Sequence, residues 1–278
     1  MPELPEVETI RKDLEKMLAG KTVKNVDVRD IFVLTGFLPK GLPRRKVSIS
    51  DFRRSIEGQK VKRFLRRGKY LVMEFADGTA VIFHLRMTGQ LLVGCPNGKA
   101  RAIMEFSGGH TLSFLDHRRF GEILFSADWK NEPCIRSLGI EPLSNDLTAE
   151  RLKGMFMKKQ AKLHSILLNQ GLVSGLGNIY ATEALFKAKI SPFRQACKVS
   201  APELKKLAAA IKWVLEKSIM NRGFSMSTYV DALGKKGKSQ LYALCYGKKG
   251  EPCAYCRKPL EKTVIAGRGV VYCPICQI

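Results

Sequence analysis

Long hydrophobic runs are missing from this 278-residue sequence. No apolar stretch approaches the roughly 20 residues of a membrane-spanning helix, so the sequence excludes a membrane span. The first residues also lack the basic-then-apolar pattern of a secretory signal peptide. We therefore expect a cytoplasmic protein with no membrane partner.

Acidic residues are scarce. The sequence has 25 Asp and Glu against 48 Lys and Arg, a formal net charge of +23. Such an excess indicates a polyanionic partner, either nucleic acid or an acidic membrane surface. Eight basic residues stand between Arg53 and Lys69 against the single acid Glu57. Such a run is often only a solvated face, but the sequence has no basic amphipathic helix or lipidation signal, so nucleic acid is the expected partner.

Cysteine is present in a regular pattern near the C-terminal end. Four of the eight cysteines form C-x2-C-x16-C-x2-C, namely Cys253, Cys256, Cys273 and Cys276. Two close pairs joined by a hairpin can present four thiolates to one structural Zn2+ in tetrahedral geometry. A disulfide framework does not suit a cytosolic protein. We predict zinc, with iron as the chemical alternative.

The spacer between the cysteine pairs places Arg268 between Gly267 and Gly269, near the middle of the predicted hairpin. Glycine allows a close backbone approach to a partner, and a guanidinium offers a fork of donors. A zinc ribbon with this basic tip suits nucleic acid. The alternative is a finger that only braces the C-terminal segment.

Hydrophobic patterns predict an α+β protein. A helix is expected over about 5–18, followed by β-branched and aromatic runs that form hairpins around 77–78 and 108–109. These strands predict a β-sandwich in the first 130 or so residues.

Beyond residue 142 the pattern becomes helical, without internal repeats. One short helix ends before the Asn-Gln-Gly at 169–171, and another begins at or near Asn178. A third follows Ser200 and Glu203, which have capping-box spacing. Two short helices separated by Gly-rich turns are a weak DNA-binding signal in a basic chain. The predicted domains are residues 1–135, 136–240 and 241–278.

Six segments in collinear order resemble the formamidopyrimidine-DNA glycosylase family, bacterial base-excision repair enzymes for oxidised purines. They are MPELPEVET, LRRGKYL, HLRMTG, DHRRFG, GLGNIYATEALF and YGKKGEPC, which leads into the four cysteines. The resemblance implies an N-terminal β-sandwich catalytic domain, a helical domain with a helix–two-turn–helix motif and a C-terminal zinc-finger β-hairpin. It also implies a protein, associated with the bacterial nucleoid, that acts on damaged double-stranded DNA. A monomer is the default expectation.

The resemblance implies removal of 8-oxoguanine and formamidopyrimidines, and then strand cleavage by β- and δ-elimination. Met1 would be removed and Pro2 would be the nucleophile. A free N-terminal amine titrates at about 7.7–8.0, so its unprotonated form can attack the sugar C1′ and form an iminium. The resemblance further assigns Glu3 as general acid/base, Lys69 to proton transfer in the elimination, and Arg268 to the phosphate of the later elimination.

The resemblance assigns the other candidate site residues to DNA contacts. A base inside a duplex must be extruded before it can react. Met87, Arg118 and Phe120 correspond to the family's wedge, which fills the vacated space and faces the partner base. Glu6 is expected to arrange the pocket and the DNA. Phosphate contacts are expected of His84, Lys159 and Asn178.

Three features depart from the family pattern. The family often has a histidine ahead of the strand near Ile103, where this sequence has Lys99 and Arg101, so Lys99 is the DNA contact expected there. The loop at 231–240 is rich in lysine where the family has a Gly-rich loop that can close over the extruded base. The preference among oxidised purines therefore stays open, and the stretch at 36–56 has no assigned role.

Two other functions compete with this one. An endonuclease VIII-type glycosylase for oxidised pyrimidines usually begins Pro-Glu-Gly-Pro, whereas this sequence reads Pro-Glu-Leu-Pro after Met1. A non-catalytic zinc-ribbon DNA-binding protein would explain the charge and the cysteines, but it gives no reason for Pro2 and Glu3.

Overall fold

The computed structural model describes residues 1–34, 48–94 and 99–278. Two compact units are present: Met1–Ser137 with Asn221–Lys238, and Leu138–Met220 with Ser239–Ile278. Residues 221–238, which the sequence pattern placed with the helices, thus group with the first unit, and the three-domain division stays a prediction. None of the helices in the described ranges is long and apolar enough to cross a membrane.

In its described residues, the first unit combines an N-terminal helix with eight strands. Its elements are α1 (Leu4–Leu18), β1 (Val23–Val28), α2 (Ile49–Ile56), β2 (Val61–Arg67), β3 (Tyr70–Phe75), β4 (Ala80–His84), β5 (Gln90–Val93), β6 (Ala102–Phe106), β7 (Thr111–Leu115), β8 (Glu122–Ser126) and α3 (Pro133–Arg136), with short 3-10 turns at Ile31–Leu34 and Trp129–Asn131. Residues 49–56 of the unassigned stretch form α2, and residues 36–47 lie outside the described part of the chain.

The eight strands form two antiparallel four-stranded sheets, in the orders β1-β6-β7-β5 and β2-β3-β4-β8. The predicted hairpins at 77–78 and 108–109 join β3 to β4 and β6 to β7. One hydrophobic core holds Ile10 of α1, Phe83 of the second sheet and Phe114 of the first. Burying a phenylalanine side chain contributes roughly 1.5–3 kcal/mol to folding, so shared burial holds the layers together.

Two loops connect the sheets at neighbouring places. The chain leaves the second sheet at β4 and enters the first at β5, through residues 85–89. It returns from β7 to β8 through residues 116–121. Because β4 pairs with β8 and β5 pairs with β7, the two crossings run side by side. We call these segments the wedge loops, since they carry the predicted wedge residues.

The second unit is helical and ends in a hairpin. Its elements are α4 (Ala149–Phe156), α5 (Leu163–Leu167), α6 (Asn178–Ala188), α7 (Ala201–Met220), β9 (Glu261–Ile265) and β10 (Arg268–Tyr272). Helices α5 and α6 with the turns between them form the helix–two-turn–helix motif. The predicted capping box precedes α7, where the Ser200 amide donates to Glu203 at 2.8 Å. The fold class expected from the sequence is confirmed.

Candidate active site and nucleic-acid interface

The N-terminal segment buries the residues predicted to carry catalysis. Met1 is 43% exposed, whereas Pro2 is buried. Glu3 stands at the N-cap of α1 and is 3% exposed, and its amide donates to Glu6 Oε2 at 2.8 Å. Carboxylates at a helix N-terminus are favoured by the helix dipole. The structure therefore gathers Pro2, Glu3 and Glu6 at the beginning of α1.

Glu6 connects this cluster to the segment Asn221–Lys238. The second oxygen of its buried carboxylate, Oε1, accepts from the Phe224 amide at 2.8 Å. The Tyr229 hydroxyl donates to the carbonyl of Arg222 at 3.1 Å. Burial raises the pKa of Tyr229, and the nearby Glu6 charge raises it further, so the hydroxyl stays a donor. Glu6 thus links the beginning of α1 to the segment Asn221–Lys238, while its roles in arranging the pocket and the DNA stay predictions.

The lysine-rich loop at 231–240 is built around a buried aspartate. Asp231 accepts from the amides of Leu233 and Lys235, each at 2.9 Å. The Arg222 guanidinium pairs with Asp231 at 2.6 Å and with Asp13 of α1 at 2.6 Å. No pattern in the sequence indicated these contacts around Asp231. They order the beginning of the loop, and the lysines of the loop are exposed.

Gly237 is the close-packed position of the same loop. A Cβ added there would lie 2.2 Å from the carbonyl oxygen of Gly223. Since no side chain fits at that distance, glycine is required at this position.

Lys69 and His84 lie together at one end of the second sheet. Lys69 is 6% exposed and occupies the turn between β2 and β3, and the next residue, Tyr70, pairs with His84. His84 Nδ1 accepts from the Arg86 amide at 3.1 Å. Burial lowers the pKa of His84 well below its ordinary value, and the charges of Arg86 and Lys69 lower it further. The imidazole is therefore neutral and can offer Nε2–H to a phosphate.

The predicted wedge residues lie on the two wedge loops. Met87 is half-buried in the first, whereas Arg118 and Phe120 are exposed in the second. The Arg118 guanidinium carbon lies 4.8 Å from the centroid of the Phe120 ring, within cation–π range. Phe120 is 48% exposed, so it is not a core residue. Lys99, ahead of β6, is exposed as well.

In the second unit, Asn178 and the tip of the hairpin are in contact. Asn178 begins α6, and its side-chain amide donates to the carbonyl of Gly269 at 2.9 Å. Gly269 follows Arg268, the exposed first residue of β10. Lys159 is exposed just after α4. The structure thus places the helix N-terminus, a favourable phosphate site, beside the predicted phosphate-binding arginine.

The four predicted metal ligands converge. The sulfur atoms of Cys253, Cys256, Cys273 and Cys276 all lie within 4.8 Å of one another. Tetrahedral zinc with bonds of about 2.3 Å separates its sulfur ligands by roughly 3.8 Å, and the Cys256–Cys273 and Cys253–Cys276 separations are 3.5 and 4.0 Å. Backbone amides of Tyr255 and Cys276 donate to ligand sulfurs, which favours thiolates. The residues fit one structural zinc ion.

A carboxylate that the sequence analysis missed attaches the finger to α6. Glu183 is buried, and its two oxygens accept from the amides of Leu244, Cys245 and Tyr246 at 2.7–2.9 Å. Phe186, also on α6, packs in the finger's small core. Only the position of Glu183 within the quoted GLGNIYATEALF motif could have drawn attention to it.

Buried His164 on α5 gives a prediction for acid stability. Burial lowers its pKa to about 4, although contact with Asn178 acts the other way. In the unfolded chain the same histidine has its ordinary pKa of about 6.5, so between pH 6.5 and 4 the unfolded state binds more protons than the folded state. The free energy of unfolding therefore falls as the pH drops through this range, by roughly 3 kcal/mol for this group. Urea unfolding at pH 7.5 and 4.5 should show a smaller pH effect in His164→Leu. The exposed His117→Gln should behave like the unmodified protein, and an unchanged pH effect in His164→Leu would contradict the assignment.

Comparison with known proteins places the chain among base-excision DNA glycosylases that have a helix–two-turn–helix domain. Three family models match in order: the formamidopyrimidine-DNA glycosylase N-terminal domain over 1–123, the H2TH domain of the same enzymes over 138–230, and the zinc finger found in FPG and IleRS over 250–278. The chain belongs to the formamidopyrimidine-DNA glycosylase family. It is a base-excision repair glycosylase for oxidised purines, with one structural zinc ion.

Individual relatives agree with the family assignment. The formamidopyrimidine-DNA glycosylase of Carboxydothermus hydrogenoformans is 39% identical over 280 residues, which cover 100% of both chains. The crystal structure of MutM (Fpg) from Thermus thermophilus matches with a TM-score of 0.86 and 35% identity, over 99% of this chain and 98% of that one. Lactococcus lactis Fpg in complex with DNA containing an abasic site matches with a TM-score of 0.87 and 33% identity, over 99% of each chain.

Proposed function

We propose that the protein excises 8-oxoguanine and formamidopyrimidines through a Schiff base on Pro2 and then cleaves the strand by β- and δ-elimination. The observation that carries this proposal is the buried cluster of Pro2, Glu3 and Glu6 at the beginning of α1. A chain that only binds DNA has no need to bury two carboxylates beside its N-terminus, because burying charge is costly unless it is paired or hydrogen-bonded.

The chemistry begins when Met1 is removed and Pro2 becomes a secondary amine. Its lone pair attacks C1′ of the damaged nucleotide, and the bond from C1′ to the base breaks. Glu3, as general acid/base, protonates the leaving group on the sugar or the base. The attached Pro2 nitrogen loses its proton, and its lone pair expels O4′ as the C1′–O4′ bond breaks and the sugar ring opens. The Pro2 nitrogen and C1′ then form an iminium, which is a covalent intermediate.

The iminium makes strand cleavage possible. It acidifies the C2′ proton, and loss of that proton expels the 3′ phosphate in β-elimination. A second elimination expels the 5′ phosphate. Lys69, held beside neutral His84, assists proton transfer in the first elimination, and Arg268 at the hairpin tip holds a phosphate for the second. Arginine suits this role because its planar fork matches phosphate oxygens.

The partner we propose is damaged double-stranded DNA, bound by a monomer in the bacterial cytoplasm. The net charge of +23 and the Lactococcus lactis relative bound to abasic-site DNA support this partner. Met87, Arg118 and Phe120 would fill the space left by the extruded nucleotide. Lys99, Lys159 and Asn178 would contact the phosphate backbone, which dominates affinity and makes it depend on salt.

The test is borohydride trapping. Purified protein lacking Met1 is mixed with duplexes carrying 8-oxoguanine opposite cytosine, thymine glycol opposite adenine, or an abasic site, and borohydride is added. We expect covalent adducts on the 8-oxoguanine and abasic duplexes, with the modified peptide beginning at Pro2. Preference for thymine glycol would favour the pyrimidine branch. No adduct on any duplex, with DNA still bound, would refute the Schiff-base mechanism.

A further inference from the structure

Asp116 lies at the junction of the two wedge loops. It directly follows β7 and is 2% exposed, although it belongs to the charged motif DHRRFG. The function proposed above uses Arg118 and Phe120 from this motif and leaves Asp116 without a role. A buried carboxylate needs donors around it, so its hydrogen bonds show what it does.

The Asp116 carboxylate bonds to both wedge loops at once. Within its own loop, Oδ1 accepts from the Arg118 amide at 3.1 Å, and Oδ2 accepts from the amides of Phe120 and Gly121 at 2.7 and 2.6 Å. Across to the other loop, the Thr88 hydroxyl donates to Oδ1. Thr88 follows Met87, so one carboxylate bonds to the backbone of two wedge residues and to the side chain next to the third.

The wedge loops have backbone conformations that need such support. Arg86 and Arg119 have φ angles of 49° and 56°, in the left-handed region that residues with a side chain rarely adopt. Each is adjacent to a wedge residue. Gly121 is packed so closely that an added Cβ would lie 3.1 Å from Asp116 Oδ2 and 2.5 Å from the Phe114 ring. The loops are held in one shape, and the Asp116 carboxylate supplies four of the bonds that hold them.

Resting on the proposed function, we propose that Asp116 is a positioning residue that fixes the two wedge loops in one register, so that Met87, Arg118 and Phe120 enter the duplex as a unit. Asp116 does not touch DNA. Its effect is confined to substrates whose damaged base must be extruded from a stack and replaced, because that step needs all three side chains in place. Chemistry on a site that has no base to extrude should depend on it far less.

The test uses Asp116→Asn and Thr88→Val. Asparagine keeps the size of the side chain but turns an acceptor into a donor that faces other donors. Valine removes only the bond between the two loops. Asp77→Asn is the matched control, because Asp77 also accepts bonds within a turn, from the amide and hydroxyl of Thr79, in the hairpin between β3 and β4.

Single-turnover excision of paired 8-oxoguanine should fall roughly 100-fold in Asp116→Asn, since misplacing a positioned group by about 1 Å costs that much. The excision rate should fall by a smaller factor in Thr88→Val and should be unchanged in Asp77→Asn. The rate of borohydride trapping on an abasic duplex should stay close to that of the unmodified protein in all three variants. The fluorescent base analogue 2-aminopurine, placed next to the lesion, brightens when it is unstacked. Its fluorescence should rise less on binding of Asp116→Asn than on binding of the unmodified protein, because the wedge residues insert less well.

Equal loss on the 8-oxoguanine and abasic duplexes, or no loss on either, would overturn the positioning role. If thermal melting shows that Asp116→Asn does not fold, Thr88→Val provides the test instead. Its rates on the 8-oxoguanine and abasic duplexes are then compared in the same way. If the unmodified protein itself acts on neither duplex, the proposed function is refuted instead. Failure of the proposed function can therefore be told apart from failure of the positioning role.

Discussion

Protein that keeps Met1 is expected to bind a lesion-containing duplex and to form no borohydride-stable adduct with it. While Met1 is present, the Pro2 nitrogen belongs to a planar amide, and its lone pair is delocalised. Removing Met1 gives an amine that titrates at about 7.7–8.0, partly unprotonated at neutral pH. Adduct formation should therefore differ by roughly 1,000-fold or more, the scale on which a lost nucleophile acts in a covalent mechanism.

The comparison needs no substitution. The same chain is produced with and without inhibition of methionine aminopeptidase, the two forms are verified by intact mass, and adducts are quantified on denaturing gels. DNA affinity is the internal control, since Met1 is 43% exposed and is not among the buried core residues. Equal trapping by both forms would show that another amine is the nucleophile, with Lys69 the first to examine.

Replacing Cys273 by serine is expected to remove the zinc and the DNA affinity together. Cys273 is fully buried in the finger's core, and structural zinc contributes roughly 10–16 kcal/mol of binding free energy to folding in such fingers. Without it, Arg268 and the Gly269 carbonyl that holds Asn178 lose their positions. The two phosphate contacts that we propose for Arg268 and Asn178, each on the order of 1.5–3 kcal/mol, would be lost, so DNA affinity should fall about 100-fold or more.

Zinc content by atomic absorption and DNA binding by fluorescence anisotropy at fixed salt measure this effect. Cys134→Ser and Cys197→Ser are matched controls, because both thiols lie outside the four-sulfur cluster. Burial raises the pKa of Cys134 to about 11, so it remains a thiol rather than a metal-binding thiolate at neutral pH. Full zinc occupancy and unchanged affinity in Cys273→Ser would show that the finger does not need all four sulfurs.

Elements encoded by local patterns were predicted well. The glycine-containing turns at 77–78 and 108–109 join strands as expected, and α1 begins one residue before its predicted start. The third predicted helix is α7, and the apolar residues at helical spacing along it are buried, namely Leu204, Leu207, Ile211, Val214 and Leu215. In each case the information lies within a few residues, where backbone propensity and periodicity act.

Pairings between distant segments could not be predicted. Strand β1 pairs with β6 rather than with its neighbour in sequence, and residues 221–238 join the N-terminal unit. Glu6 bonds to the amide of Phe224, 218 residues away, and no local pattern announces such a partner. Motif resemblance singled out Pro2, and spacing singled out the four cysteines. Asp116 was passed over, because the role we propose for it depends on the amides that bond to it and not on its own chemistry.

Glu183 limits what can be cut from the protein as a separate module. A peptide of residues 241–278 would contain all four sulfurs, yet it would lack the carboxylate about 60 residues upstream that holds three of its amides. Its aromatic support, Phe186, would be lost as well. A finger transplanted into another protein would therefore need a host helix that presents an acid and an aromatic one turn apart. The portable unit is the hairpin together with α6.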